Sequence, residues 1–259
     1  PYSYYGIGQP ASTRTAENNT IGGVTTYADS TQFSLDNPAT LGKLGYVQYR
    51  VGANYKASSQ RTLQAKASVS TSALNYLSLS VPTKHFAFGF GLKPKSSLGY
   101  RINTTTENNG LEYKNLLSGT GGVNSTFLSL AFNPYKGLSL GVSALYNFGY
   151  TEKTLIQTAS GIQNSTQFFT NSELSGVQYT FGMHYSRNIF SNYALQFSAT
   201  YTPNASLQST NSRTISSITP NGAIGTKMEM DLGNLATTTN KLAAETTLGF
   251  GFGKPQHWF

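Results

Sequence analysis

The stretch Leu63-Gln-Ala-Lys-Ala-Ser-Val-Ser-Thr-Ser-Ala-Leu-Asn-Tyr-Leu-Ser-Leu-Ser-Val81 alternates almost without interruption. One set of alternate positions carries mainly Leu, Ala and Val, and the other carries mainly Ser. A period of two is the signature of a β-strand with one apolar and one polar face. Globular strands are typically about 5–6 residues long. The length and the polar face of this stretch therefore predict a tilted strand of a membrane-spanning barrel.

The composition of the 259-residue chain excludes several other classes of protein. Apolar residues make up 38% and charged residues 11% of the chain, but 13% of the residues are aromatic, whereas disordered chains are usually highly charged and poor in aromatics. The chain has no run of about 18 apolar residues that would predict a transmembrane helix. It also has no Cys, so neither a disulfide nor a thiolate metal site is predicted. The composition favours a barrel with a polar lumen and aromatic girdles.

The formal charge of +8 predicts attraction to anionic lipid head groups or to acidic partners. The 18 Lys and Arg residues are scattered singly. Nucleic-acid binding normally needs a clustered basic surface, so we expect no nucleic-acid partner.

Two regions differ in pattern. Residues 1–44 do not alternate and are rich in Gly, Pro, Thr and Asn, which predicts a compact non-strand hatch segment with short helical turns near Asn37-Pro38-Ala39. Residues 45–259 alternate and are predicted to form the barrel. The predicted strands are 46–56, 62–81, 86–102, 125–132, 138–150, 177–185, 193–201 and 242–252.

The links between these strands follow a rhythm of short and long. Short links are predicted at 82–85, 133–137, 188–192 and 253–257, and long polar loops at 103–124, 151–172 and 203–240. Outer-membrane barrels have short periplasmic turns and long extracellular loops. The short link 57–61 breaks this rhythm. The alternation of Met228 and Met230 is compatible with an extra pair of strands inside the last long stretch.

The predicted barrel stops early. After eight strands and a turn, Trp258-Phe259 would open a ninth strand. An eight-stranded barrel has an interior filled by side chains and has no room for a hatch. We therefore expect these residues to be part of a longer protein.

Several segments together resemble the FadL-type family of long-chain fatty-acid transporters. They are Asn37-Pro-Ala-Thr-Leu41, Leu77-Ser-Leu-Ser-Val-Pro82, Phe86-Ala-Phe-Gly-Phe-Gly-Leu92, Ser97-Leu-Gly-Tyr100, Gly137-Leu-Ser-Leu-Gly-Val142 and Met228-Glu-Met-Asp-Leu232. Gly233 follows the last segment, where the family often has Pro. The resemblance implies an all-β, antiparallel transmembrane barrel of about 14 strands, of which about 8–10 lie in this chain, with an N-terminal plug in its lumen. Some relatives in that family serve instead as accessory barrels in secretion machines.

The candidate site residues lie in the hatch and on one polar strand face. Asn37, Pro38 and Ala39 would end a hatch helix and fix the plug to the barrel wall, or else form an ordinary Asn-Pro turn. His184 lies among Gln178 and Thr180, which favours a hydrogen bond in the lumen over a ligand role.

The aromatic residues of two predicted strands have two interpretations. They would either line an apolar tunnel or face lipid and the membrane interfaces, and we favour the second because their faces alternate with Gly and Ser. These residues are Phe86, Phe88, Phe90, Tyr146, Phe148 and Tyr150.

The sequence contains no pattern that predicts chemistry. His85, His184 and His257 lack metal-ligand spacing, and no Gly-x-Ser-x-Gly nucleophile elbow is present. Gly249-Phe-Gly-Phe-Gly-Lys-Pro255 lacks the spacing and the Ser or Thr of a phosphate loop. We expect no enzymatic activity, no catalytic residues, no cofactor and no metal site.

The lead hypothesis is a multi-pass barrel of the bacterial outer membrane that takes up small hydrophobic molecules passively past the hatch. The alternative is a non-transporting accessory or shuttle barrel within a secretion or assembly complex. The expected partners are membrane lipids and lipopolysaccharide, a hydrophobic small molecule, and other outer-membrane subunits. A soluble β-sandwich or adhesin needs a dry core, which the polar strand faces disfavour.

Overall fold

The computed structural model is all-β and describes residues 2–11, 14–61, 66–108, 110–189 and 193–254. The strands are β1 Gln9–Pro10, β2 Gln48–Arg61, β3 Lys66–Pro82, β4 Phe86–Asn108, β5 Leu111–Tyr135, β6 Leu138–Ala159, β7 Ser165–Ile189, β8 Tyr193–Thr202, β9 Ala205–Ile218, β10 Ile224–Glu229, β11 Thr237–Leu242 and β12 Glu245–Gly253. The helices are α1 Ala16–Thr20 and three 3-10 helices, Tyr2–Tyr4, Pro38–Lys43 and Gly233–Leu235. Among the described residues, no helix combines the length and the apolarity needed to cross a membrane.

The strands form a single antiparallel sheet in which neighbours in sequence are mostly neighbours in space. The order runs from β2 through β3, β4, β5 and β6 to β7. β8 and β9 then follow one another along the other side of β7, because residues 181–189 pair with β8 and residues 165–175 pair with β9. In the same way β10 and β11 pair with β9, and β12 pairs with β8.

The predicted long loops at 103–124 and 151–172 are wrong. β4 and β5 continue as a paired hairpin to the Asn108–Leu111 pair, and β6 and β7 continue to the Gln157–Thr166 pair. Both faces of these extensions carry polar residues, so the apolar alternation that marks a strand is lost, while backbone pairing to the neighbouring strand holds the extended conformation.

The stretch 203–240 holds β9, β10 and most of β11 rather than a loop. Met228 lies in β10 and pairs with Ile215, whereas Met230 follows the end of that strand. The predicted link 57–61 is also strand, because β2 extends to Arg61. The predictions for residues 62–65, 190–192 and 255–259, including those for His257 and Trp258-Phe259, lie outside the described residues.

The two faces of the sheet have opposite character. The N-terminal segment, described at residues 2–11 and 14–44, lies on the covered face. This face is mostly polar and includes the buried side chains of Ser78, Ser80, Ser129, Ser143, His184 and Gln196. The exposed face is apolar and includes Phe86, Phe88, Phe90, Leu128, Leu130, Phe132, Tyr146, Phe181, Phe250 and Phe252. A water-soluble sheet normally buries its apolar face and exposes its polar one. This sheet has the reverse arrangement.

Two small apolar clusters lie on the covered face. Phe33, Leu41 and Leu44 of the N-terminal segment pack against Ala87 of β4 and Ala131 of β5. A second cluster joins Val123, Leu174 and Leu207 of three different strands, with Ile7 packed against it. The N-terminal segment is therefore fixed to the sheet at both ends.

The described residues 2–11 and 14–44 are mostly irregular, and they include the short strand β1. β1 pairs antiparallel with Ser96 and Ser97 of β4, immediately after a register irregularity between Pro94 and Ser96.

Candidate functional site

Glycines on the covered face make room for the N-terminal segment. A Cβ at position 182 would meet Asn37 Oδ1 and Pro38, and a Cβ at position 141 would meet the backbone of Pro38 and Ala39. Gly141 and Gly182 are paired across β6 and β7, so together they form a shallow seat beneath the Asn-Pro-Ala sequence. Any larger residue at these two positions would lift the segment off the sheet.

Asn37 joins the N-terminal segment to β7. Its Oδ1 accepts a hydrogen bond of 3.1 Å from the backbone N–H of Ala39 and thereby caps the 3-10 helix that begins at Pro38. Its Nδ2 donates to the carbonyl oxygen of Met183 at 3.2 Å. The sequence predicts that Asn37-Pro38-Ala39 ends a hatch helix, but a helix begins there instead. Pro suits the first helical position because it lacks an N–H.

Thr40 holds the turn that precedes this helix. Its hydroxyl donates to the carbonyl oxygen of Asn37 at 2.6 Å and accepts a 2.9 Å hydrogen bond from the N–H of Ser34. Ser34, Asn37 and Thr40 are all at least 98% buried. Buried polar groups that find partners rigidify the backbone around them, which gives residues 34–40 one conformation.

Gln196 of β8 pairs with the backbone of residue 28. The N–H of Ala28 donates to Gln196 Oε1 at 3.1 Å, and Gln196 Nε2 donates to the carbonyl oxygen of Ala28 at 3.3 Å. The side-chain amide thus replaces a neighbouring strand for one residue of the N-terminal segment. These two hydrogen bonds also fix which end of the amide is oxygen, because a backbone N–H can only donate.

His184 lies next to this pair and is fully buried. Its Nε2 is 3.1 Å from the carbonyl oxygen of Thr26 and 3.2 Å from Gln196 Oε1. Both oxygens are acceptors, so Nε2 carries the proton and donates to them. Ser198 donates to the Thr26 hydroxyl at 3.1 Å and completes the contact. His184 therefore binds the N-terminal segment.

Asp29 organises the turn that follows. Its carboxylate accepts hydrogen bonds from the Thr31 N–H at 2.7 Å, the Gln32 N–H at 2.8 Å and the Tyr27 hydroxyl at 2.8 Å. Burial alone would raise the pKa of Asp29, but these hydrogen bonds outweigh it and lower the pKa below its ordinary value. Burial, together with the hydrogen bond and the charge of Asp29, raises the pKa of Tyr27 to about 12.

A cavity of about 750 Å³ separates another part of the N-terminal segment from the sheet. Its walls carry charged groups, namely Arg14, Asp36, Lys93, Lys95 and Glu245. Lys93 Nζ lies 3.1 Å from Asp36 Oδ1, and Lys95 Nζ donates to Gln178 Oε1 at 2.7 Å. Apolar side chains, among them Phe127 and Leu145, line other parts of the cavity. A hydrophobic molecule bound there would still have to desolvate the charged groups, which is costly.

The aromatic residues Phe86, Phe88, Phe90, Tyr146 and Tyr150 are 43–56% exposed, and Phe148 is partly buried on the same face. The residues that alternate with them carry small or polar side chains and lie on the covered face. None of the six lines the cavity beside the N-terminal segment. His85 lies in an exposed turn at the end of the sheet, far along the sequence from His184.

The residues that receive the N-terminal segment are not among the candidates that the sequence singles out. They are Gly141, Gly182, Gln196 and Ser198. The available signal is the presence of Gly inside β6 and β7, because Gly in a strand interior often marks the close approach of another backbone.

A family model described as BamG matches residues 1–259. It is not a model of the FadL-type transporters, so the resemblance to that family is wrong. Alternating Phe and Gly, and a three-residue Asn-Pro-Ala sequence, follow from an apolar outer face and a seated segment, and these features do not distinguish one barrel family from another. No curated protein and no solved structure matches the chain.

Proposed function

Because this chain belongs to the BamG family, we propose that it is a barrel subunit of a Bam-type outer-membrane assembly complex that does not itself transport a substrate. The family match over residues 1–259 carries this proposal. It favours the accessory role over passive uptake of hydrophobic molecules.

The apolar exposed face supports a membrane location. The cross-strand pair Phe90 and Leu128 is 56% and 62% exposed, and Phe250 of β12 is 70% exposed. Contiguous apolar surface on this scale is unfavourable in water and suits the lipid-facing side of a barrel. In this proposal β2–β12 supply part of the wall and residues 2–44 supply the plug.

The seated N-terminal segment supports a role without transport. Asn37, Thr26 and Ala28 are held by Met183, His184 and Gln196 through hydrogen bonds that are buried or partly buried. Each such bond contributes about 0.5–1.5 kcal/mol, and each partner left unpaired would cost about 1–3 kcal/mol. Displacing the segment to open a passage would break several of these bonds together. The charged walls of the neighbouring cavity also disfavour a hydrophobic cargo.

The proposal is tested by purifying the tagged native protein in mild detergent and identifying what accompanies it. We expect stoichiometric co-purification of the central barrel of the assembly machine, and a second native barrel with the same tag, unrelated to assembly, serves as the control. Depleting the protein should lower the folded amounts of other outer-membrane barrels. Purification of the protein alone, with normal barrel assembly after depletion, would contradict the proposal.

A further inference from the structure

Three exposed cations lie at the end of the sheet where the turns are short. Lys84 is in the turn between β3 and β4, Lys136 is in the turn between β5 and β6, and Arg187 is near the end of β7. We call these three residues the basic rim. None of them lines the charged cavity.

Backbone hydrogen bonds make the rim continuous. The N–H of Asn133 donates to the carbonyl oxygen of His85 at 3.0 Å, which ties the Lys84 turn to the end of β5. The N–H of Ser186 donates to the carbonyl oxygen of Gly137 at 2.9 Å, which ties the Lys136 turn to the residue before Arg187. Adjacent strands are about 4.8 Å apart, so the cations follow one another around the rim roughly every two strands.

No acidic side chain neutralises the rim within the described residues. The salt bridges among the described residues join Arg50 to Glu17 and Lys93 to Asp36, and neither involves a rim cation. A further cation reaches the same place, because Lys43 Nζ donates to the carbonyl oxygen of Gly137 at 3.0 Å.

The opposite end of the sheet differs from the rim. The exposed cations Arg101, Lys114 and Lys227 on the extended hairpins have acidic neighbours along the same strands, namely Glu107, Glu112 and Glu229. Charges of both signs are therefore mixed at that end, whereas the described part of the rim carries only positive charges.

The rim lies directly at the border of the apolar exposed face. Phe86, two residues after Lys84, stacks on Phe132 with ring centroids 5.1 Å apart, and both rings are exposed. Tyr135, beside Lys136, is 77% exposed. Aromatic residues with a polar tip are typical of the level of lipid head groups. Cations at this border stand where phosphate groups lie.

We propose that the basic rim binds the phosphate groups of anionic phospholipids in the leaflet next to the short turns. This inference rests on the proposed membrane location of the chain. An acidic protein surface would also be attracted, but its docking would not require the cations to follow the edge of the apolar face. Bound anionic lipid would fix the depth and orientation of the subunit beside its partners.

The test uses the full native protein in mild detergent micelles that contain equal amounts of phosphatidylglycerol and phosphatidylcholine. Native mass spectrometry counts the molecules of each lipid that remain bound. The variant K84Q/K136Q/R187Q removes the rim, and R101Q/K114Q/K227Q is the matched control, since it removes the same charge at the other end. Heat-modifiable gel migration shows beforehand that each variant is folded.

We expect the native protein and the control to retain phosphatidylglycerol preferentially, and the rim variant to bind it about fivefold more weakly for each cation removed. Equal loss in both variants, or no preference in the native protein, would overturn the inference. So would a rim variant that keeps the lipid but loses its co-purifying subunits, because that result assigns the rim to an acidic protein.

Two further readouts keep this test decisive. If the triple variant does not fold, high salt applied to the native protein replaces it, because added salt shortens the screening length and should release the lipid. Failure of the proposed complex appears separately, as absence of co-purifying subunits with the lipid preference intact.

Discussion

Asn37 and Met183 are 146 residues apart in sequence, yet Asn37 Nδ2 donates a 3.2 Å hydrogen bond to the Met183 carbonyl oxygen. The same Asn37 side chain caps the helix that begins at Pro38. One residue therefore both starts a local structure and attaches it to the sheet.

Replacing Asn37 by Ala should lower the free energy of local opening of residues 34–41 by about 2 kcal/mol. A helix cap contributes about 1 kcal/mol and a hydrogen bond about 1 kcal/mol. Hydrogen exchange of peptides from this region should accelerate while β4–β6 stay protected. Asn54→Ala changes an exposed Asn of β2 and should leave the same peptides unaffected. Equal protection in Asn37→Ala and the native protein would show that Asn37 does not hold the segment.

Replacing Gly182 by Ala should displace the Asn-Pro-Ala sequence. The added Cβ would meet Asn37 Oδ1 and would lie 2.9 Å from Pro38 Cδ, and overpacking of this kind costs about 1–3 kcal/mol. The chain has no Cys, so a single Cys in place of the buried Ser34 reports opening through its labelling rate. Gly99→Ala is the control, because a Cβ there meets nothing within 4 Å. Labelling at the same slow rate in Gly182→Ala and Gly99→Ala would show that Gly182 is not needed to accommodate the Asn-Pro-Ala sequence.

The Asp29 turn should weaken in acid. The pKa of Asp29 is lowered in the folded protein, so its contribution to stability is complete above the ordinary value near 3.8 and is lost as the pH falls through the lower folded value. The labelling rate of the Ser34→Cys variant should rise in this pH range. Dithiodipyridine is the reagent, because it reacts with thiols in acid. Asp29→Asn keeps an acceptor for Thr31 but has no charge to titrate, so its labelling should depend less on pH. Identical acid profiles would rule out Asp29 as the cause.

An Arg at position 128 should prevent stable insertion into lipid. Leu128 lies on the apolar exposed face. A cation on the lipid-facing side of a barrel costs about 2–4 kcal/mol of folding free energy near the middle of the bilayer. The measurement is the urea midpoint of folding into phospholipid vesicles. Thr104→Arg, on the exposed extension of β4, adds the same charge outside that face and should behave like the native protein. If the urea midpoint of the Leu128→Arg variant equals that of Thr104→Arg and of the native protein, Leu128 does not face lipid.

The parts of the sheet that the sequence predicts well are those where one face is apolar. Phe86, Phe88 and Phe90 alternate with Ala and Gly, and this pattern is enough to identify β4 and the direction of its side chains. The extension of β4 through Thr104 and Thr105 has polar residues on both faces, so only pairing with β5 reveals it. Strands of this kind are specified by their neighbours rather than by their own periodicity.

The long alternating stretch shows the same limit on a smaller scale. Ser78 and Ser80 are buried and Leu79 is exposed, as a regular strand requires. The register then shifts between Gly52 and Ala53 of β2, so Tyr76 and Leu74 face consecutive partner residues. A β-bulge inserts one residue and changes which side chains share a face, and the alternation in sequence does not reveal it.

The attachment of the N-terminal segment was beyond the reach of local patterns. Ala28 and Gln196 are 168 residues apart, and nothing near either residue in sequence indicates the partner. A polar strand face predicts that something polar will lie on it, and the position of Asn37-Pro38-Ala39 suggests an attachment, but the pairing of particular groups depends on the assembled sheet.

The order in which the chain is made is opposite to the order in which these contacts can form. Residues 26–40 are synthesised before β6, β7 and β8, yet their partners Met183, His184 and Gln196 lie on β7 and β8. Contacts that close so long a loop form late, because the entropy lost on closure is recovered only when the distant partners are already in place. Until then Thr26, Ala28 and Asn37 lack these distant partners, and water takes their place. Residues 26–40 thus emerge before the strands that hold them, so their docking reports that β7 and β8 are already in place.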